Sequence, residues 1–152
     1  MIALIQRVSR ASVRVDGKET GSIENGMLIL LGVHRTDTPT EMLWLVKKCA
    51  LLRIFPDDDG RMNRSIQEAG GEVLVVSQFT LYGNANKGNR PSFVESAPPE
   101  IAEPLYEKFK SELSTLLERK VACGKFGAFM DVELINDGPV TLWLEKLAES
   151  NN

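Results

Sequence analysis

Apolar positions along this chain follow two periods, and the switches between them mark out its elements. Residues 73–76 (VLVV) form an unbroken, mostly β-branched run after Gly70-Gly71, the pattern of a central strand covered on both faces. The run turns polar with no turn residue between, as Ser77, Gln78, Phe79 and Thr80 follow. Extended at a period of two, Gln78 and Thr80 share one face while Ser77, Phe79 and Leu81 share the other. Polar side chains at the end of a buried strand are costly unless each finds a partner. Two readings are open: an ordinary strand end whose side chains bond nearby backbone, or the floor of a pocket. A second stretch, Asn136-Asp137-Gly138-Pro139-Val140-Thr141, tips the balance toward the pocket.

Elsewhere the pattern is simpler. Short β-prone runs at 2–8, 12–15 and 20–23, with turn chemistry at Asp16-Gly17, precede a continuous apolar run at 27–33 (MLILLGV) after Asn25-Gly26. Together they read as a β-meander. Thr38-Pro39-Thr40-Glu41 predicts a helix start, with Thr38 as cap, Pro39 in the first turn and Glu41 completing a capping box. Leu43, Val46, Lys47 and Ala50 carry it toward Leu51 at helical spacing. Arg53-Ile54-Phe55 reads as extended, and residues 65–69 as a short helical turn. After Pro98-Pro99, Ile101, Leu105, Phe109, Leu113 and Leu116 fall on one stripe of a second amphipathic helix. That stripe is core packing. Residues 124–130 (GKFGAFM) are too glycine-rich for a strand interior, and 132–135 and 140–144 read as two strands joined tightly at Asp137-Gly138-Pro139.

Composition narrows the class. At 152 residues, 43% hydrophobic and 26% charged, the chain reads as one domain over residues 1–152, large enough to bury a core without metal or disulfide. A net charge of -3 excludes bulk electrostatic binding of nucleic acid, though a local basic patch stays open. Cys49 and Cys123 have no paired spacing, which fits a reducing compartment. With no signal-peptide layout at the start and no membrane-spanning run, a cytoplasmic protein is expected.

Candidate chemistry is limited by what is missing. His34 is the single histidine, at the end of an apolar run with no nucleophile elbow nearby, so a structural role fits better than a triad base. Phosphate-binding glycine loops and zinc-ligand clusters are absent, and the acidic run Asp57-Asp58-Asp59-Gly60 lacks the later ligands of a calcium loop. No metal or cofactor is expected. What remains is hydroxyls, amides and backbone dipoles, a set suited to ester or acyl chemistry. The loop at 83–93, with Lys87 and Arg90 and no acid between them, is either a solvated connector or a phosphate-contacting arm. Gly138-Pro139 is an X-Pro bond whose ordinary state is trans; a cis bond would swing a carbonyl sharply and hold it.

The opening MIALIQRVSRASVRVDG, the central Ser77-Gln78-Phe79-Thr80-Leu81, KGNRPSF at 87–93, FGAFM at 126–130 and Asn136-Asp137-Gly138-Pro139-Val140-Thr141 together resemble the D-aminoacyl-tRNA deacylases through nearly the whole chain. Either central motif alone would be weak; the pair at this separation is specific. The resemblance implies an α+β fold, mainly antiparallel with a barrel-like core and two main helices packed on it. It implies a homodimer with two sites at the subunit interface, where the SQFT element of one subunit faces a Gly-cis-Pro element of the other. The family cleaves the ester joining a D-amino acid to the terminal adenosine of tRNA, and also removes misplaced glycine.

On that likeness, backbone N–H groups around Phe79 and Thr80 polarise the ester carbonyl. Ser77 and Gln78 position the adenosine or the ester, and Thr80 orients an attacking water assisted by the vicinal ribose hydroxyl. The Gly138 carbonyl, held by Pro139, clashes with an L side chain and passes a D one. Arg7 braces that turn, Asn136 belongs to its motif, and Thr141, Met130 and Phe126 line the pocket. Lys87, Arg90 and Lys125 contact tRNA phosphates, few enough to predict a shallow salt dependence. Two other readings compete: a non-catalytic binder of the aminoacyl-tRNA 3′ end, and a hydroxyl-nucleophile hydrolase of small esters.

Overall fold

The computed structural model describes residues 1–148, and the 14-residue strand β1 (Ile2–Val15) runs through its middle. The two β-prone runs at its ends are one strand, with exposed Arg10 at the polar break between them. Asp16 (φ 51°) and Gly17 (φ 75°) supply the left-handed pair that a tight hairpin needs, leading into β2 (Lys18–Ile23). The strand β3 (Gly26–Gly32) does not fold back on β2 as a meander would. Ile23 pairs with Ala11 and Gly26 with Val8, an equal step on both sides, so β2 and β3 lie end to end along one edge of β1.

Helix α1 (Pro39–Leu51) begins as its sequence dictates: the Thr38 amide and hydroxyl donate to Glu41 Oε2 at 2.8 and 2.6 Å. Burial draws the Glu41 carboxyl up, but the Thr38 donors outweigh it and hold the group below its usual range. A small hairpin of β4 (Phe55–Pro56) and β5 (Met62–Arg64) closes on the acidic run. There Asp57 Oδ1 accepts the amides of Asp59 and Arg61, which makes the run a turn. After the single-turn α2 (Ile66–Ala69) comes β6 (Glu72–Ser77), parallel to β3.

The long helix α3 (Pro99–Leu117) buries Ala102, Leu105, Tyr106, Phe109, Leu113 and Leu117, while Ile101 and Leu116 are exposed. The expected stripe is right in its middle, while at its two ends Ala102 and Leu117 are buried in place of Ile101 and Leu116. Next, β7 (Ala122–Cys123) adds parallel to β6. Its backbone crosses close to β2: a Cβ on Gly21 would sit 2.7 Å from the Cys123 carbonyl oxygen. The sheet is thus a nearly closed barrel. Finally β8 (Asp131–Glu145) pairs antiparallel with β1 along its length, so the expected pair of C-terminal strands is one strand.

Alternation on β6 divides the interior in two. Val73 and Val75 face Met27, Ile29, Leu31 and both long helices, whereas Leu74 and Val76 join Leu28, Val8, Val13 and Ile23 inside the barrel. A strand apolar on both faces is what a buried parallel neighbourhood demands. Cys49 lies in the helix-side core, its thiol pushed up to about 12 by burial. No described helix is long and apolar enough to cross a membrane.

Candidate active site

The parallel ladder ends at Gln78, whose amide donates to the Leu31 carbonyl at 2.8 Å. From there Phe79–Tyr82 wind into a 3-10 turn, with Leu81 N–H donating to Gln78 O at 3.3 Å and Gly83 N–H to Thr80 O at 2.9 Å. Side chains 78–81 therefore do not alternate across a strand, as a period of two would have them, but fan around a tight helix. Gly83 lets the turn close, since a Cβ there would lie 2.9 Å from both Thr80 O and Phe93 Cε1. The first N–H groups of any such turn have no partner within it. Here the Phe79 and Thr80 N–H groups find no acceptor among the described residues.

Beside this turn opens a cavity of about 650 Å³, lined by Ser77, Gln78 and Phe79, by Phe126 and Met130, and by Tyr106 of α3. Tyr106 donates to the Val75 carbonyl at 3.1 Å, and burial raises its phenol above the usual range. Phe129, at the same rim, is 99% exposed. Thr80 stands outside the lining, its hydroxyl accepting a bond from Gln78 Nε2. His34 is satisfied elsewhere: Nδ1 accepts the Thr36 N–H at 3.2 Å, which leaves Nε2–H to donate to Glu95 at 2.8 Å.

The second motif is a bulge. Gln6 faces Thr141 and Val8 faces Asn136, so β1 advances two residues while β8 advances five. Residues 137–140 therefore stand out of the ladder, with Gly138-Pro139 in the cis form. Asn136 Nδ2 staples the base, donating to Arg7 O at 3.0 Å and Val140 O at 3.1 Å. Arg7 Nη1 donates to the Ile54 carbonyl at 2.6 Å, and its Nε lies 2.8 Å from Asp137 Oδ2, close but poorly aligned for a hydrogen bond. Thr141 Oγ1 accepts from Gln6 Nε2 at 3.3 Å. Gly138 is open: a Cβ added there would meet only Asn136 Oδ1, at 3.6 Å.

The residues expected to share one pocket thus fall into two groups within the chain. Ser77, Gln78, Phe79, Phe126 and Met130 meet at the cavity, with Thr80 at its edge. Arg7, Asn136, Gly138, Pro139 and Thr141 gather at the bulge and do not line that cavity. Lys87, Arg90 and Lys125 are exposed and form no ion pair among the described residues. Reading the sequence missed Ser96, whose hydroxyl donates to the Phe79 carbonyl at 2.7 Å. No local pattern announces it.

The sequence matches the D-Tyr-tRNA(Tyr) deacylase family over residues 4–145. A protein of Salinibacter ruber named D-aminoacyl-tRNA deacylase is 58% identical over 149 residues, spanning 98% of this chain and 99% of the relative. One of the same name from Desulfatibacillum aliphaticivorans is 58% identical over 145 residues, spanning 95% and 99%. A solved structure described as a c-Myc DNA unwinding element binding protein superposes with a TM-score of 0.91 at 42% identity, covering 97% and 100%. A probable eukaryotic D-amino acid tRNA deacylase shares the fold, with a TM-score of 0.79 at 17% identity over 94% and 97%. On this full-length likeness the chain belongs to the D-Tyr-tRNA(Tyr) deacylase family.

Proposed function

We propose that this chain hydrolyses the ester joining a D-amino acid to the terminal ribose of tRNA. The observation that carries the reading is the turn over Phe79–Tyr82, whose Phe79 and Thr80 N–H groups lack acceptors among the described residues, beside a cavity of about 650 Å³. Paired main-chain donors stabilise the oxyanion that forms when an ester carbonyl is attacked. Water adds to the carbonyl carbon, the bond to the ribose oxygen breaks, and that oxygen leaves with a proton. Thr80 Oγ1 accepts from Gln78 and touches no base among the described residues, so it orients the water rather than attacking. The substrate's vicinal ribose hydroxyl assists, and Ser77 and Gln78 seat the terminal adenosine or the ester.

Handedness is assigned to the bulge. The Gly138 carbonyl stands where an L side chain would strike it, while a D side chain points away. Glycine has nothing to clash, so mischarged glycyl-tRNA is also a substrate. The bulge and the cavity do not meet within one chain, and the reading is completed by a homodimer in which each bulge faces the partner's turn. In support, β8 pairs with a described strand on one side only, and Ile135, Leu142 and Trp143 are exposed along it. Lys87, Arg90 and Lys125 take a few phosphates, with the work done in the cytoplasm.

The test is hydrolysis of D- and L-tyrosyl-tRNA by the full chain. The expected outcome is release of D-tyrosine with the L-ester spared. Retention of charged tRNA without any release would replace this reading with a binder of the 3′ end.

A further inference from the structure

We propose that Ser96 is a positioning residue for the ester-polarising turn, acting through the Phe79 carbonyl; this rests on the deacylase reading above. The Ser96 hydroxyl donates to Phe79 O at 2.7 Å. That oxygen and the Thr80 N–H belong to one planar peptide unit and point in opposite directions. Fixing the oxygen therefore fixes the direction of the N–H across the plane. A donor on the carbonyl also polarises the amide and strengthens its N–H as a donor in turn.

Ser96 can do this because it is itself held. Arg35 N–H donates to Glu95 O at 3.1 Å and Ala97 N–H to Val33 O at 2.9 Å, clamping the Ser96 backbone against His34 at the end of β3. The Glu95 carboxylate is gripped by His34 Nε2 at 2.8 Å and Arg35 Nη2 at 3.3 Å. The same β3 aligns Gln78 through Leu31. Both supports of the turn, the ladder under Gln78 and the hydroxyl on Phe79, thus trace to β3 and the three residues that follow it. This also gives His34 a part in the site: it seats Ser96 and stays out of the chemistry.

Ser96→Ala and Ser96→Thr, as full-length protein, separate this role from a merely structural one. Steady-state hydrolysis of D-tyrosyl-tRNA is measured beside wild type, with the Phe79 carbonyl ¹³C and Thr80 amide resonances followed by NMR. Removing an oxyanion donor outright lowers kcat about 10²–10³-fold, so loosening one should lower it on the order of tenfold in Ser96→Ala, with KM unchanged. Ser96→Thr should restore the rate, and the Phe79 carbonyl resonance should move upfield in Ser96→Ala alone. An unchanged kcat, a loss confined to KM, no rescue by threonine, or unmoved resonances would each overturn the proposal. A wild type inert on the D-ester would instead refute the deacylase reading, and that failure appears in the wild-type reaction rather than in the variants.

Discussion

The turn after β6 and the bulge in β8 both interrupt a strand with polar residues, yet they are held by opposite means. The turn is fixed mainly by its own backbone: the Leu81 and Gly83 amides bond back to Gln78 and Thr80, and Gly83 has no room for a Cβ. Only the Ser96 hydroxyl reaches it from outside among the described contacts to the Phe79 carbonyl. The bulge is fixed by side chains, with Asn136 bridging its base and Arg7 set beside Asp137. The functional groups differ in the same sense. In the proposed reading the turn offers N–H donors that only proline would delete, and the bulge offers a carbonyl whose placement depends on removable braces. The lesson is that chemistry at the turn should depend on few side chains, the Ser96 hydroxyl chief among them, whereas discrimination at the bulge should depend on several.

That contrast can be broken at its strongest point by moving the turn's backbone. Gly83→Ala places a Cβ 2.9 Å from Thr80 O and Phe93 Cε1. Overpacking of this kind destabilises by about 1–3 kcal/mol. Displacing the donors should cut the single-turnover rate on the D-ester by on the order of 10²-fold. Next comes Arg7→Ala, which removes a charged donor from the Ile54 carbonyl. Hydrogen bonds from charged groups contribute about 1.5–3 kcal/mol, so a lower Tm is expected, together with a reduced preference for the D-ester in paired rates. Smallest is Thr80→Ala, which deletes an orienting hydroxyl and no oxyanion donor. Its rate should fall less than about tenfold, below the 10²–10⁴-fold that a general acid–base group supplies. Near-total loss with Thr80→Ala would erase the distinction between the two regions.

How far the sequence carried this account depends on whether the deciding contact is local. The Thr38–Glu41 cap, the Asp16-Gly17 hairpin and the acidic turn at Asp57 were legible because all their partners lie within four residues. The middle of the α3 stripe was legible from its helical spacing alone, although its packing partners lie on other elements. Asn136-Asp137-Gly138-Pro139 carries ordinary turn chemistry, and whether it folds a hairpin or bulges from one strand is decided by β1, over a hundred residues away. Gln78, Phe79, Thr80 and Leu81 read as strand because their apolar lead-in gives no stop signal; β6 ends at Ser77, the last residue paired with β3, opposite Leu31. Arg7 could be suspected from the family resemblance, and its Nε does lie 2.8 Å from Asp137 Oδ2. Ser96 could not, because its seat is a bridge to His34 across the fold.

The division of labour is tested most directly by hydrolysis rates for D- and L-tyrosyl-tRNA measured side by side on Asn136→Ala. Two hydrogen bonds worth about 1 kcal/mol each are lost with that side chain, loosening the bulge and leaving the turn intact. The account predicts a D-rate close to wild type and an L-rate that rises, so that the D/L ratio drops roughly 10- to 30-fold. A variant whose D-rate collapses while L-tyrosyl-tRNA stays protected would contradict it.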